Sequence, residues 1–230
     1  LLWSSLMGTN FWLRNLLLSC PMRLSWVVSP LKMSNDVTLS RNFSSGNSFE
    51  LDILSDCISD FIEIMIVTER ALVLPIDYDK SNLNTALPID CGQTISQPLI
   101  VALMTQHLEV KNNMRVLEVG TGSGYQTLVL SKMAKFVYTI ERYKTLHQKA
   151  KELLKIIKAK NIFFRHGDGG LGWVEQAPFD RIIVTACAFE IPNQLIEQLN
   201  EDGIMIVPVG EIHEEQVLKK VKKSKGKIYV

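Results

Sequence analysis

The stretch Val116-Leu117-Glu118-Val119-Gly120-Thr121-Gly122-Ser123-Gly124-Tyr125-Gln126-Thr127 decides the fold. The run Arg115–Val119 suits a short buried strand, and Tyr125–Ala134 suits a helix with Leu128, Leu130 and Met133 apolar. Gly120, Gly122 and Gly124 therefore occupy a strand-to-helix turn. Glycine there permits positive φ and lets the backbone approach a ligand with no Cβ in the way. The helix that follows points its free N–H groups at the same spot. The plain alternative is a tight turn that binds nothing, because a glycine-rich turn alone is a weak signal. The context favours a ligand. A second strand, Phe136–Ile140, follows and is closed by Glu141, 21 residues after Gly120 (141 minus 120). An acid at about 20 residues' distance holds ribose hydroxyls in a doubly wound fold.

The spacing also discriminates between cofactors. A dinucleotide turn reads G-x-G-x-x-G, so that pyrophosphate lies close to the helix N-terminus. This chain has Gly-x-Gly-x-Gly, with Glu118 two residues before the first glycine. An acid there repels a pyrophosphate and suits a cationic ligand bearing an amino group. S-adenosylmethionine, with a sulfonium and an α-ammonium and no phosphate, is favoured over NAD.

Outward from this turn, a lysine-rich helix over about Lys144–Lys158 leads to a strand at Asn161–Arg165, which ends in His166-Gly167-Asp168-Gly169. Asp168 is placed to accept from an adenine amino group, or it simply makes an Asp-Gly turn. Further strands are expected at Phe179–Thr185, Ile204–Val209, Val217–Val221 and Ile228–Val230, with a helix at Asn193–Leu199 and a turn at Asp202-Gly203. The alternation predicts an α/β, Rossmann-like, doubly wound and mostly parallel sheet with an N-terminal helical extension. Ligands then bind at the carboxyl ends of the strands, where Glu118–Gly124, Glu141, Asp168 and Thr185–Ala188 gather.

Upstream lies a polar, turn-rich loop, Ala86–Pro98, before a helix running to about Leu108. Its Ser, Thr and Gln side chains either cap that helix or face a ligand, and spacing does not choose between them. Phe49–Val67 has apolar residues at helical spacing with acids between them. Residues 34–48 read as a linker. Residues 1–33 are apolar and slightly basic; the uncharged run between Arg14 and Arg23 is too short for a signal core or a membrane span. They are expected to be a poorly ordered extension, with Met33 a candidate start. The organisation is thus an extension and linker over 1–48, a helical and substrate-loop region over 49–108, and a Rossmann-like core over 109–230.

A net charge of +1 over 230 residues argues against a dedicated nucleic-acid surface. The acids between Arg41 and Arg70 and the six lysines of Lys219–Lys227 read as solvated faces. Cys20, Cys57, Cys91 and Cys187 form no C-x-x-C pair and no zinc spacing with the histidines, so free thiols in a reducing compartment are expected, and no metal.

Beyond the fold, Ala86–Pro98, with its Gly-Gln-Thr-Ile-Ser-Gln-Pro core, resembles the signature loop of protein-L-isoaspartate O-methyltransferases. Val116–Thr127 is similar to their first cofactor motif, Pro178–Ala186 with Pro192 to their second, and Asp202–Gly210 to their third. The resemblance covers about residues 68–222. It implies a class I S-adenosylmethionine-dependent enzyme that methylates the free carboxylate of L-isoaspartyl, and less well D-aspartyl, residues in damaged proteins. It assigns Ser96 to the active site, with Thr94, Ile95 and Gln97 bordering substrate and cofactor. Gly120, Thr121, Gly122 and Gly124 cradle the methionine part with Glu118, Glu141 takes the ribose, and Asp168 with Gly169 lies near the adenine. The backbone around Ile89 and Val209 is expected to pair with an extended peptide. A cytoplasmic monomer with no nucleic-acid or membrane partner is expected. The chain stops at Val230, where the family has a further closing segment. Two alternatives stand beside this reading: another class I methyltransferase of unknown substrate, and a truncated cofactor-binding remnant without activity.

Overall fold

The computed structural model describes residues 84–211 and 216–230. The expected extension, linker and helix over 1–67 lie outside the described residues. Among the described residues, seven strands form one sheet in the order β5-β4-β3-β6-β7-β8-β9. They are β3 (Arg115–Val119), β4 (Phe136–Glu141), β5 (Ile162–His166), β6 (Phe179–Val184), β7 (Leu199–Val209), β8 (Val217–Ser224) and β9 (Lys227–Tyr229). Strands β3 to β7 run parallel, and β8 and β9 are antiparallel additions at one edge. The chain steps from β3 outward through β4 to β5, then returns to the other side of β3 as β6. Strand order therefore reverses between β3 and β6, where a crevice opens at the carboxyl edge.

The central strands are apolar without alternation because both faces are covered. Ile204, Met205, Ile206 and Val207 of β7 are all buried. On one face, Val116, Ile183 and Ile206 pack with Met104 and Leu108 of α1 (Pro98–Leu108) and Leu130 of α2 (Tyr125–Met133). On the other, Leu117, Ile182 and Val207 pack with Leu195 of α4 (Asn193–Glu197). Helix α3 (Lys144–Ile156) buries Leu146, Ala150 and Leu154 at four-residue spacing. A two-strand hairpin, β1 (Leu87–Pro88) with β2 (Thr94–Ile95), stands apart from the main sheet.

Expected and observed elements differ in places that have local causes. Strand β7 begins at Leu199, not Ile204, because Asp202-Gly203 forms a bulge inside it. The pairing with β6 jumps from Phe179–Leu199 to Arg181–Ile204, and Asp202 takes φ 56°. Helix α3 ends at Ile156, and Lys158 takes φ 61° just beyond it. Strand β5 starts one residue later, at Ile162, and the Asn161 side-chain amide donates to the carbonyls of Ser131 and Ala134. Strands β8 and β9 are joined through Lys225-Gly226, both at positive φ (52° and 68°), as a two-residue hairpin turn demands.

Candidate cofactor and substrate site

The turn after β3 is held from three sides. The Gly120 N–H donates to the Ile140 carbonyl at 2.8 Å, and Gly124 N–H to the Thr121 carbonyl at 2.8 Å. Gly120, at φ 101°, leaves room that a Cβ would contest with Thr185 Oγ1, 2.6 Å away. Thr185 itself donates to the carbonyls at the end of β3, with Val119 O at 3.0 Å. Gly122 takes φ 54° and donates its N–H to Glu141 Oε2 at 2.9 Å. Glu141, 4% exposed, also accepts from Tyr143 N–H through Oε1 at 2.9 Å. Its carboxylate thus sits at the β4 end of the turn, where the sequence placed it, and each oxygen retains a lone pair for a further donor.

Glu118 departs from expectation. The sequence reading set its acid among the groups that meet a cationic cofactor, but the side chain lies wholly buried beneath the turn. Its Oε2 accepts from Thr127 Oγ1 at 2.5 Å and from Thr139 Oγ1 at 2.7 Å. Its Oε1 is buried with no hydrogen-bond partner. Burial pushes the carboxyl up to about 8, the two hydroxyls pull the other way, and the nearby Glu141 pushes it further up. Glu118 therefore offers no exposed contact to a ligand above the turn; its carboxyl faces the hydroxyls of Thr127 and Thr139.

Asp168 is exposed, and its Oδ1 accepts from Gly170 N–H at 2.9 Å, capping a single 3-10 turn over Gly169–Leu171. Gly169 is buried where a Cβ would collide with Val119 Cγ1 at the end of β3. That packing brings Asp168 to the same edge as the glycine turn.

The Ala86–Pro98 loop is anchored rather than loose. Leu87 and Ile95 pack with Tyr125 and Leu128 of α2, and Asp90 pairs with Lys149 of α3 at 2.6 Å. The Cδ1 of Ile89 lies 3.6 Å from where a Gly122 Cβ would stand, so the loop overhangs the turn. Thr94 is exposed and Gln97 half-buried. Gln97 is the first flanking residue of α1 but makes no side-chain cap. The cap comes from Asn84, whose Oδ1 accepts from Leu99 N–H at 3.1 Å. Ser96 is half-buried, and its hydroxyl has no hydrogen-bond partner among the described residues. Of the two readings that the spacing left open, helix capping is thus filled by a residue other than Ser96.

Peptide pairing through the backbone of Ile89 and Val209 needs correction. The Ile89 N–H already donates to Gln93 O at 2.8 Å. Val209 lies between Val217 of β8 and a bridge to Ala188, so the strand has no open edge there. Their partly exposed side chains, not a free strand edge, are what they can offer.

Sequence reasoning named Thr121 and placed Thr185 at the ligand edge, but missed the hydroxyls of Thr127 and Thr139 that meet Glu118. One signal was legible: Thr139 interrupts the apolar run of β4, at a position paired with Glu118 in the sheet. The Asp180 of the second motif also has a structural task, accepting from Arg115 N–H at 2.8 Å and from Asn200 at 3.1 Å. Among the described residues, no cluster of three or more His, Cys, Asp or Glu is arranged to hold a metal. Cys91 and Cys187 are free thiols.

The Glu141 carboxylate beside the turn suits a nucleoside at this crevice and opposes a pyrophosphate. On a sheet of this order, that is the site of a class I, S-adenosylmethionine-dependent methyltransferase. The chain belongs to the protein-L-isoaspartate(D-aspartate) O-methyltransferase family, whose model matches residues 53–230. It is 48% identical to the protein-L-isoaspartate O-methyltransferase of Dictyoglomus turgidum over 169 residues, 73% of this chain and 76% of that one. It is 54% identical to the enzyme of that name from Caulobacter vibrioides over 145 residues, 63% of this chain and 65% of the relative. Among solved structures, it is similar to a Plasmodium falciparum chain assigned as a protein-L-isoaspartate O-methyltransferase and solved with S-adenosyl-L-homocysteine. That match has a TM-score of 0.65 at 27% identity and covers 80% of this chain and 93% of the other.

Proposed function

We propose that this chain methylates the free carboxylate of L-isoaspartyl, and less readily D-aspartyl, residues in damaged proteins, with S-adenosylmethionine as methyl donor. Family membership supports the reaction. The observation that carries the site is Ser96, whose hydroxyl has no hydrogen-bond partner among the described residues and is carried on a loop that overhangs the glycine turn through Ile89.

The residues present fit the cofactor. Gly122 leaves a cradle bounded by Ile89 Cδ1, with no closer atom where a side chain would be. Glu141 closes β4 beside it. In this reading Gly120, Thr121, Gly122 and Gly124 hold the amino-acid end, with Glu118 supporting them from below. Glu141 takes the ribose hydroxyls, and Asp168 and Gly169 border the adenine through the exposed Asp168 side chain. Thr94, Ile95 and Gln97 frame the opening. Ile89 and Val209 contribute side chains to the substrate wall.

When bound, S-adenosylmethionine supplies an electrophilic methyl: a carboxylate oxygen forms the O–C bond as the S–C bond breaks, leaving a methyl ester and a neutral thioether. A carboxylate is already a nucleophile at neutral pH, so the protein needs no general base. Its task is alignment and exclusion of water. The Ser96 O–H donates to the attacking carboxylate and sets its approach.

The reading carries with it a cytoplasmic monomer without nucleic-acid or membrane partners. The near-neutral net charge of +1 supports the first exclusion. Among the described residues, no helix is long and apolar enough to cross a membrane. The division into 1–48, 49–108 and 109–230 is proposed as one of roles, with α1 joining the second region to the third through the shared core. The test is methyl transfer from labelled donor to a peptide with isoaspartate at one position, against the same peptide with normal aspartate. Transfer to the first alone is expected.

A further inference from the structure

A chain of buried hydroxyls links the glycine turn to the carboxyl beneath it. Thr121, Thr127, Thr139 and Glu118 are each 3% exposed or less. The chain's direction follows from hydrogen counting. Glu118 Oε2 receives Thr127 Oγ1 at 2.5 Å and Thr139 Oγ1 at 2.7 Å. With any carboxyl proton on the unpartnered Oε1, Oε2 only accepts, so Thr139 spends its single hydrogen on Glu118. The 2.6 Å contact between the Thr121 and Thr139 hydroxyls must then use the hydrogen of Thr121. The order is Thr121 to Thr139 to Glu118, with Thr127 of α2 entering from the other side. Thr121 is also the residue whose carbonyl accepts from Gly124 N–H at 2.8 Å and so closes the turn.

We propose that Thr139 is a positioning residue of the cofactor site: its hydroxyl, accepting from Thr121 and donating to Glu118, fixes the glycine turn in the conformation that receives the methyl donor. This rests on the functional reading above for the identity of the ligand. Thr139 itself, wholly buried in β4, touches no ligand. A methyl group in place of the hydroxyl keeps the volume but breaks the chain at its middle. It leaves Thr121 without its acceptor and Glu118 Oε2 with one donor instead of two. A serine keeps the chain and loses only a methyl.

The test combines calorimetric titration of S-adenosylhomocysteine with steady-state kinetics on wild type, Thr139→Val and Thr139→Ser. Thr139→Val is expected to bind S-adenosylhomocysteine about tenfold more weakly, the scale of one buried hydrogen bond. KM for the methyl donor should rise by a similar factor, while KM for the isoaspartyl peptide stays unchanged. Thr139→Ser should recover binding to within about threefold of wild type, since the missing methyl costs packing but no hydrogen bond. Equal weakening in both variants would mean that packing, not the hydroxyl, matters, and would overturn the proposal; so would wild-type affinity in a folded Thr139→Val. Should Thr139→Val fail to fold, Thr121→Val reads the other end of the chain: the same loss supports the proposal and unchanged affinity overturns it. A wild type that binds S-adenosylhomocysteine but leaves the isoaspartyl peptide unmethylated would refute the functional reading, while the binding arm still decides the role of Thr139.

Discussion

Every contact of Glu118 lies inside the protein, and its titration follows from that. In the unfolded chain it ionises near its ordinary value of 4.5, and in the folded chain burial lifts it to about 8. Its contribution to stability is complete below the unfolded value and is lost as pH rises through the folded one. Glu118→Gln stays neutral throughout, and its carbonyl oxygen can still accept from Thr127 and Thr139. The difference in melting temperature should therefore move in favour of the variant from about pH 5 to about pH 8 and level off above. A difference independent of pH would contradict the burial argument. The Ser96 hydroxyl predicts a different signature. Because Asn84, not Ser96, caps α1, Ser96→Ala should leave the melting temperature nearly unchanged. It should lower kcat/KM for an isoaspartyl peptide by roughly tenfold or more, each factor of ten being about 1.4 kcal/mol of lost alignment. A stability loss of about 0.5–2 kcal/mol with turnover per folded molecule unchanged would return Ser96 to a capping role. At this scale the sequence revealed residue types and their order but not their direction. Glu118 read as a ligand group because spacing along a strand does not say which side of the turn a side chain enters.

The turn between β3 and α2 is the element most legible in the sequence. Its glycines, the acid ending β4 and the helix that follows were all read from spacing, since a tight turn with positive φ leaves few residue choices. Gly122→Val places a branched side chain at φ 54°, in the gap beneath Ile89. S-adenosylhomocysteine binding should be abolished in calorimetry while the protein remains folded. Glu141→Ala removes the acceptor for both Gly122 and Tyr143 N–H. It should weaken the same ligand by about 1–3 kcal/mol; an unchanged affinity would remove Glu141 from the site. The bulge in β7 was not legible. Asp202-Gly203 has the composition of an ordinary turn, and only the pairing with β6 shows that the strand resumes on both sides of it. Gly203 has its absent Cβ 2.7 Å from the Asn200 carbonyl and from Leu199 Cγ. Gly203→Ala should therefore cost about 1–3 kcal/mol in denaturant unfolding, from overpacking against backbone that cannot yield.

Across the whole molecule, the sheet order brings three chain segments distant in sequence to one crevice: the turn after β3, the end of β4 and the hydroxyl-bearing loop before α1. The parallel, doubly wound plan was readable because buried strands and amphipathic helices have different periods. What the periods do not carry is how a loop packs on a helix: the anchoring of Ala86–Pro98 by Ile95, Leu87 and the Asp90–Lys149 pair needed the structure. On the proposed reading, that anchoring is what lets a small set of backbone and hydroxyl groups align a carboxylate with a methyl donor. The most direct measurement is methyl transfer to paired peptides that differ only in isoaspartate or aspartate at one position. Incorporation into the isoaspartyl peptide, with the aspartyl peptide at background, is the predicted result. Equal incorporation into both, or none into either by a protein that binds S-adenosylhomocysteine, would contradict it.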